Sequence, residues 1–430
     1  MTPRLRLRVL LSISGLLLLS WSVAVPIFEA PDEPHHWLFA RYVNQRRSLP
    51  VFNKQLIEAN SPPAYYLIIA PVAFETDIPE FFVDPEGHRT PFGVRVVLGH
   101  GQPALRIYRN DRSDFGRFWP IRVARIFSVI MSVFTVLFTY LAGRESTGRS
   151  DTGLLAASLV AFLPQFTFRA SQVSNDSLVA TMGALSLYVL VVIGRRGFTW
   201  SRGIVAGLAI AGAYLTKINA IFLPLPLGLT LLAQEAPWRQ RLIRLGGLVG
   251  LMLVLVMPWT VRNVMLYGDP FAQKAMHTVV SSLVVRKPLT SPYFYTTFWY
   301  ELGASFIGVF GWMNLWLPAY IYWLYALFAL LAVGGLLRGW MKDTIDRRLA
   351  LILASIPLLN LMIVIYINLS FSQPQGRYMF PALAAIGVLL ALGMEGLPGW
   401  RRSVQLGLVG TLLATNVFIL AAWLIPAYWG

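Results

Sequence analysis

The 430-residue chain contains no cysteine and little charge, with only 13% of its residues Asp, Glu, Lys or Arg against roughly a quarter in an ordinary soluble domain. Without cysteine there is no disulfide framework, no thiol chemistry and no zinc–thiolate site. Acidic residues are the scarcer charged class, 20 against 36 basic. Apolar residues fill the gap: 56% of the chain is hydrophobic and the mean hydropathy is +0.59.

The few charges are also clustered. Residues 9–28, 126–143, 152–168, 177–194, 203–216, 218–234, 245–261, 302–337, 349–376, 378–394 and 403–430 hold no Asp, Glu, Lys or Arg. A bilayer core takes about 17–25 apolar residues per helix. These intervals therefore predict an all-α polytopic membrane protein with about eleven transmembrane helices. Lys217 divides 203–216 from 218–234, so a broken or re-entrant pair is expected there. The N-terminal apolar run lacks a small-x-small cleavage site and is read as an uncleaved first span.

Basic residues then orient the chain. Arg4, Arg6 and Arg8; Arg144 and Arg149; Arg195, Arg196 and Arg202; Arg239, Arg241 and Arg244; Arg338, Lys342, Arg347 and Arg348; and Arg401 and Arg402 fall in alternate short connections. Such connections are cytoplasmic by the positive-inside rule. The turns near 170–176 and 370–376 lack Lys and Arg and fall outside. The N-terminus is then cytoplasmic and the C-terminus external, in an inner (plasma) membrane. Seventeen of the 36 basic residues sit in the inside connections, so topology explains the net charge of +16, and nucleic acid is not expected as a partner.

Residues 1–430 are expected to form a single transmembrane domain with no separate soluble domain. Two external segments stand out by length. The first, 29–118, has helical character at 34–47 and a 12-residue apolar run at 63–74, suited to an interfacial or re-entrant helix rather than a span. The second, 262–300, is rich in Tyr, Phe and Trp near its end. Neither an internal repeat nor a low-complexity tract is visible.

Carboxylates beside a bilayer are costly, which makes them functional candidates. Asp32 and Glu33 follow the outer end of the first span. Asn175 and Asp176 sit in an external turn between the third and fourth spans. Asp is a favoured helix N-cap and Pro is tolerated in a first turn, so capping is the structural alternative for Asp32, ahead of Pro34, and for Asp176. His35 and His36 lie beside Asp32. Carboxylate and imidazole make a workable mixed ligand set, and Asp32, His36 and Asp176 are the candidate metal ligands, with the need for a divalent ion left open. On the basic side, Arg377 begins the tenth span from outside, Lys217 breaks the fifth and sixth, and Arg262 follows Pro258-Trp259. Snorkelling to lipid phosphate is the alternative for each. It suits Arg377 least, because Gly376 beside it permits close backbone approach.

Several motifs occur in one order along the chain: Pro31-Asp32-Glu33-Pro34-x-His36, Ser61-Pro62-Pro63-Ala64-Tyr65-Tyr66, Asn175-Asp176 and Leu215-Thr216-Lys217. They continue with Pro258-Trp259-x-x-Arg262-Asn263-x-x-x-Tyr267-Gly268-Asp269-Pro270, Ser305-Phe306-x-Gly308-x-Phe310-Gly311-Trp312 and Gln375-Gly376-Arg377-Tyr378-x-Phe380-Pro381. The ordered set resembles bacterial GT-C superfamily membrane glycosyltransferases related to protein O-mannosyltransferases and aminoarabinose transferases. The resemblance implies a sugar donor on a polyprenyl phosphate and a periplasmic or extracellular active site in the cell envelope. It places the family's first-loop aspartate on Asp32, with Glu33 completing the acidic pair, and its second-loop aspartate on Asp176. His36, Tyr65, Tyr66 and Tyr378, within the motifs, are the expected substrate contacts. The family usually has His or Lys before Pro-Pro-x-Tyr-Tyr, where this chain has Ser61.

The expected chemistry is displacement at the sugar's anomeric carbon. Asp32 is the general base, Asp176 an orienting or binding group, and Arg377, Lys217 and Arg262 the groups that meet the leaving lipid phosphate. The acceptor is a glycan, lipid or protein hydroxyl. The competing reading is a polytopic lipid or solute transporter or flippase. Transporters, however, commonly show internal repeats and charges near the midplane, whereas the unusual charges here fall at the outer boundary.

Overall fold

The computed structural model describes residues 2–76, 116–279 and 284–429. Arg89, Arg95, Arg106, Arg109 and Arg112 of the first external segment lie outside the described residues.

The chain is a bundle of helices: α1 (Pro3–Ala24), α2 (Glu33–Arg46), α3 (Ala64–Ile69), α4 (Trp119–Thr147), α5 (Ser150–Ala161), α6 (Pro164–Ala170), α7 (Asn175–Arg196) and α8 (Trp200–Tyr214). It continues through α9 (Pro224–Leu232), α10 (Trp238–Tyr267), α11 (Gln273–Val279), α12 (Thr297–Ile307), α13 (Ala319–Met341), α14 (Arg347–Asn368), α15 (Leu383–Glu395), α16 (Arg402–Phe418) and α17 (Ile425–Trp429). The described strands are β1 (Val309–Phe310) and β2 (Leu315–Trp316), an antiparallel pair between α12 and α13.

Every uncharged interval carries a helix, but the expectation of about eleven full spans needs correction. Among the described residues eight helical segments are long and apolar enough to cross a membrane alone, and the bent pair α5–α6 makes a ninth. The shortfall has local causes. α5 and α6 meet at 68° where Pro164 opens α6, because the residue before proline is pushed out of the helical region. α8 is only 15 residues long. Lys217 is extended between it and the 3-10 turn Ile218–Phe222, so 203–232 is a broken pair, as the position of Lys217 suggests.

α7 is the central helix: 78% of its apolar window is buried, against 17% for α10 and for α13. Those two present Leu253, Met265, Trp323 and Leu330 outward, as a lipid-facing surface requires. Close packing uses small residues. A side chain at Gly183 of α7 would run into the Pro381 carbonyl, and Gly335 of α13 faces the backbone of Gly393 in α15.

The charged connections sort to two ends. One end joins Arg6 to Asp151, Arg149 to Glu395, Arg195 to Asp346 and Arg196 to Glu145. The other gathers the close of α1, the short helices between α1 and α4, the α6–α7 junction, Lys217 and the turn Gly376–Ala382 ahead of α15.

Candidate active site

Asp32 occupies the N-cap position of α2, yet its side chain makes no capping bond and its backbone is left-handed, φ 65°. The capping alternative therefore fails for this carboxylate. Instead its Oδ2 accepts from Arg377 Nη2 at 2.5 Å, a contact across 345 positions of sequence. Burial pushes the Asp32 carboxyl up, but Arg377, His36 and Arg169 outweigh it and hold the group below the usual carboxylate range. It stays ionised and 30% exposed.

Asp176 sits in the first turn of α7 and does not cap it. Ser174 does, accepting from the Asp176 backbone N–H at 3.2 Å. The Asp176 carboxylate is fully buried among three cations: Arg169 at 3.0 Å, Arg377 at 3.7 Å and Lys217 in direct contact. Arg169 also donates to the Pro31 carbonyl and to Ser174 Oγ, both at 2.8 Å. It thereby ties the peptide before Asp32 to the start of α7. Lys217 lies over the Tyr378 ring, 4.9 Å from its centroid. Gly376 beside Arg377 is explained by packing: a side chain there would fall inside the backbone of Phe306 in α12.

Glu33 does not share this site. Arg125 of α4 grips it twice, at 2.8 and 2.7 Å, and the backbone N–H groups of Phe28 and Val173 donate to it at 2.8 and 2.9 Å. Both side chains are completely buried. The same guanidinium donates to the carbonyls of Ser22, Val25 and Pro26. The expectation that Glu33 completes a catalytic pair is corrected: its lone pairs are committed to a fully bonded clamp. Arg262 is likewise not brought to Asp32 and Asp176. It donates to Leu49 and Pro50 carbonyls and stacks on Trp259 at 5.1 Å.

Of the expected substrate contacts, His36 Nδ1 meets Tyr66 OH at 2.8 Å and lies 3.8 Å from Glu58. Burial depresses the His36 imidazole to about 4, so it is neutral at physiological pH. Tyr66 stacks on Phe39 with centroids 3.8 Å apart. Tyr65 is turned to structural partners, meeting Ser128 Oγ at 2.8 Å and accepting from the Ser174 N–H at 2.9 Å. Tyr378 OH donates to Gln373 at 2.7 Å, and its ring lines the floor beneath Lys217 and Arg377.

The atoms placed best to hold a metal differ from the expected trio. One ligand atom each from Asp32, His36 and Glu58 lie within 4.8 Å of one another, whereas Asp176 is occupied by cations. A neutral imidazole with two carboxylates fits a divalent ion by donor chemistry.

Arg125, Arg169 and Glu58 are the groups that sequence reasoning passed over. The available signal for Arg169 was a lone arginine at the outer end of an uncharged interval, against the charge bias of that face.

Residues 116–260 match the family model for dolichyl-phosphate-mannose-protein mannosyltransferase. No curated protein matches the chain by sequence. Among solved structures it is similar to ArnT from Cupriavidus metallidurans bound to undecaprenyl phosphate, with TM-score 0.54 and 15% identity over 96% of this chain and 73% of that one. It is also similar to the archaeal oligosaccharyltransferase AglB from Archaeoglobus fulgidus, in complex with an inhibitory peptide and a dolichol-phosphate, with TM-score 0.54 and 12% identity. There it covers 98% of this chain and only 55% of AglB, about half that protein's length.

The chain therefore shares its fold with these polytopic membrane proteins. The family-model match relates residues 116–260 to the dolichyl-phosphate-mannose-protein mannosyltransferases.

Proposed function

We propose that the chain transfers a sugar from a polyprenyl-phosphate donor to an acceptor hydroxyl at the external end of the bundle. The observation that carries this reading is the Asp32–Arg377 pair, set beside Asp176, Lys217 and Arg169. An ionised carboxylate and a group of cations, drawn from distant parts of the chain, meet in one place. ArnT and AglB share the fold and were solved with lipid phosphates, which favours this reading over a transporter.

The residues suggest a division of labour. The acceptor oxygen attacks the anomeric carbon while its proton passes to Asp32. The bond from that carbon to the phosphate oxygen breaks, and its electron pair leaves on the lipid phosphate. Arg377 and Lys217 face that growing charge; one preorganised donor is typically worth about 2.7–4 kcal/mol. Without substrate, Arg377 holds Asp32 in its least basic state. A lipid phosphate competing for Arg377 loosens that pair, so the base strengthens when donor is bound. Asp176 keeps Lys217, Arg169 and Arg377 charged and in register. A divalent ion held by Asp32, His36 and Glu58 would polarise a bound oxygen; the transfer described here runs on side chains alone. The basic end faces the cytoplasm of an inner membrane, and residues 1–430 form one transmembrane unit.

Asp32→Asn should lower transfer by about 10²–10⁴-fold while leaving membrane insertion intact. The assay is transfer from radiolabelled polyprenyl-phosphate sugars to an acceptor panel in reconstituted vesicles; normal turnover by this variant would refute the assignment. Orientation is read with single cysteines, since none is native. Cysteine at exposed Lys54 should react with an impermeant maleimide in intact cells, and cysteine at exposed Arg239 only after permeabilisation. The reverse pattern would invert the topology.

A further inference from the structure

Glu58 lies in the turn Ile57–Asn60, outside the spanning helices, and beyond the conditional metal set the transfer gives it no part. Its Oε2 is fixed by Ser61 Oγ at 2.6 Å and Tyr66 OH at 3.2 Å. Its Oε1 has no partner among the described residues, and the side chain stays 21% exposed. Asp32 is arranged in the same way, with Oδ2 taken by Arg377 and Oδ1 without a described partner. Between them stands His36, 2% exposed, whose Nε2 is buried with no partner among the described residues. One oxygen of each carboxylate and one His36 nitrogen fall within 4.8 Å. Hydrogen-bonding capacity is thus held open on the acidic side of the site, where Asp32 meets Arg377.

We propose that Glu58 and Asp32 together form the acceptor subsite, and that it takes a sugar presenting two neighbouring hydroxyls rather than an isolated hydroxyl. The inference rests on the glycosyl-transfer reading above. An ionised carboxylate only accepts hydrogen bonds, so the ligand must supply donors. Asp32 and Glu58, with one oxygen of each within 4.8 Å of the other, are close enough for adjacent ring hydroxyls to bridge them, each at an ordinary O–H···O distance of about 2.7 Å. Asp32 then receives the proton of the attacking hydroxyl as the new bond to the anomeric carbon forms and the bond to phosphate breaks. Glu58 holds the neighbouring hydroxyl and takes no proton. Ser61 and Tyr66 keep Glu58 turned toward that position, which fixes which of the two hydroxyls attacks.

The test uses the full chain in vesicles with a radiolabelled polyprenyl-phosphate sugar. Methyl glycosides and their monodeoxy analogues serve as acceptors, beside a serine-containing peptide. Glu58→Gln and Glu58→Ala should raise the acceptor KM by about 10–100-fold, the loss of one hydrogen bond to a charged group. Donor hydrolysis by water should fall far less than transfer does. The wild type should discriminate against the analogue lacking the neighbouring hydroxyl, and Glu58→Ala should lose that discrimination. An unchanged KM with discrimination intact overturns the proposal. So does preference for the serine peptide, and so does calorimetric Mn²⁺ or Zn²⁺ binding that Glu58→Gln abolishes together with chelator-sensitive transfer. If the wild type cleaves no polyprenyl-phosphate sugar at all, even to water, the glycosyl-transfer reading itself falls and takes this subsite with it.

Discussion

The two ends of the bundle use charge in opposite ways. At the basic end each pair keeps at least one partner in water: Arg195 and Asp346 are 38% and 40% exposed, Arg347 and Asp343 52% and 76%. At the other end Arg125 with Glu33 and Arg169 with Asp176 are at most 1% exposed. A surface pair is worth about 0–1 kcal/mol. Burying two charges carries a desolvation penalty of several kcal/mol per ion, recovered only by near-complete hydrogen bonding. The wet pairs accompany residues that topology already requires. Topology gives no reason for the buried pairs, so something else must retain them. Each ties down a segment beside a carboxylate, Asp32 or Asp176, to which the proposed transfer gives a part. Arg125–Glu33 fixes the chain just before Asp32 and, through Val173, the approach to Asp176. Arg169 joins Asp176 to Pro31.

The largest expected effect that separates the ends is Arg125→Met. Removing one partner of a buried pair leaves an uncompensated charge and costs about 3–5 kcal/mol. Here three backbone carbonyls lose a donor as well. Thermal unfolding in detergent should show a large loss, and Glu33→Gln on the same background should recover part of it. A melting temperature unchanged by Arg125→Met would erase the distinction between the ends.

The sequence made some of this contrast visible and hid the rest. Uncharged intervals located every spanning helix, because a bilayer excludes ionised side chains wherever a helix spans it. They did not reveal that 152–168 folds at 68° ahead of Pro164 or that 203–216 stops short. Asp32, Asp176, Lys217 and Arg377 stood out because each is a charge placed against a trend, and the fold brings these four together. Glu33 was indistinguishable from Asp32 by adjacency. The backbone is left-handed at Asp32, and the two carboxylates go to different partners. Arg125 looked like an ordinary flanking cation, since its partner lies 92 positions away. Glu58, in a polar loop, carried no local mark at all. Arg262 was drawn in by its motif, yet it serves the Leu49 and Pro50 carbonyls.

The smallest effect sharpens the comparison from the opposite side. Asp343 pairs with Arg347 at 3.2 Å with i,i+4 spacing, and Asp343 is 76% exposed. Arg347 keeps a second contact, to the Trp340 carbonyl, so Asp343→Asn removes the ion pair while leaving the arginine anchored. Water screens the attraction and both side chains lose freedom in making it, so the variant should cost about 0.5 kcal/mol or less. Because salt at about 1 M shrinks the screening length to about 3 Å, even that difference should vanish there. The deficit of Arg125→Met should persist at the same salt, since no counterion reaches a pair with no exposed surface. Were the two variants to respond to salt alike, the buried clamp would be no more insulated than a surface pair, and its part in setting Asp32 would lose its physical basis.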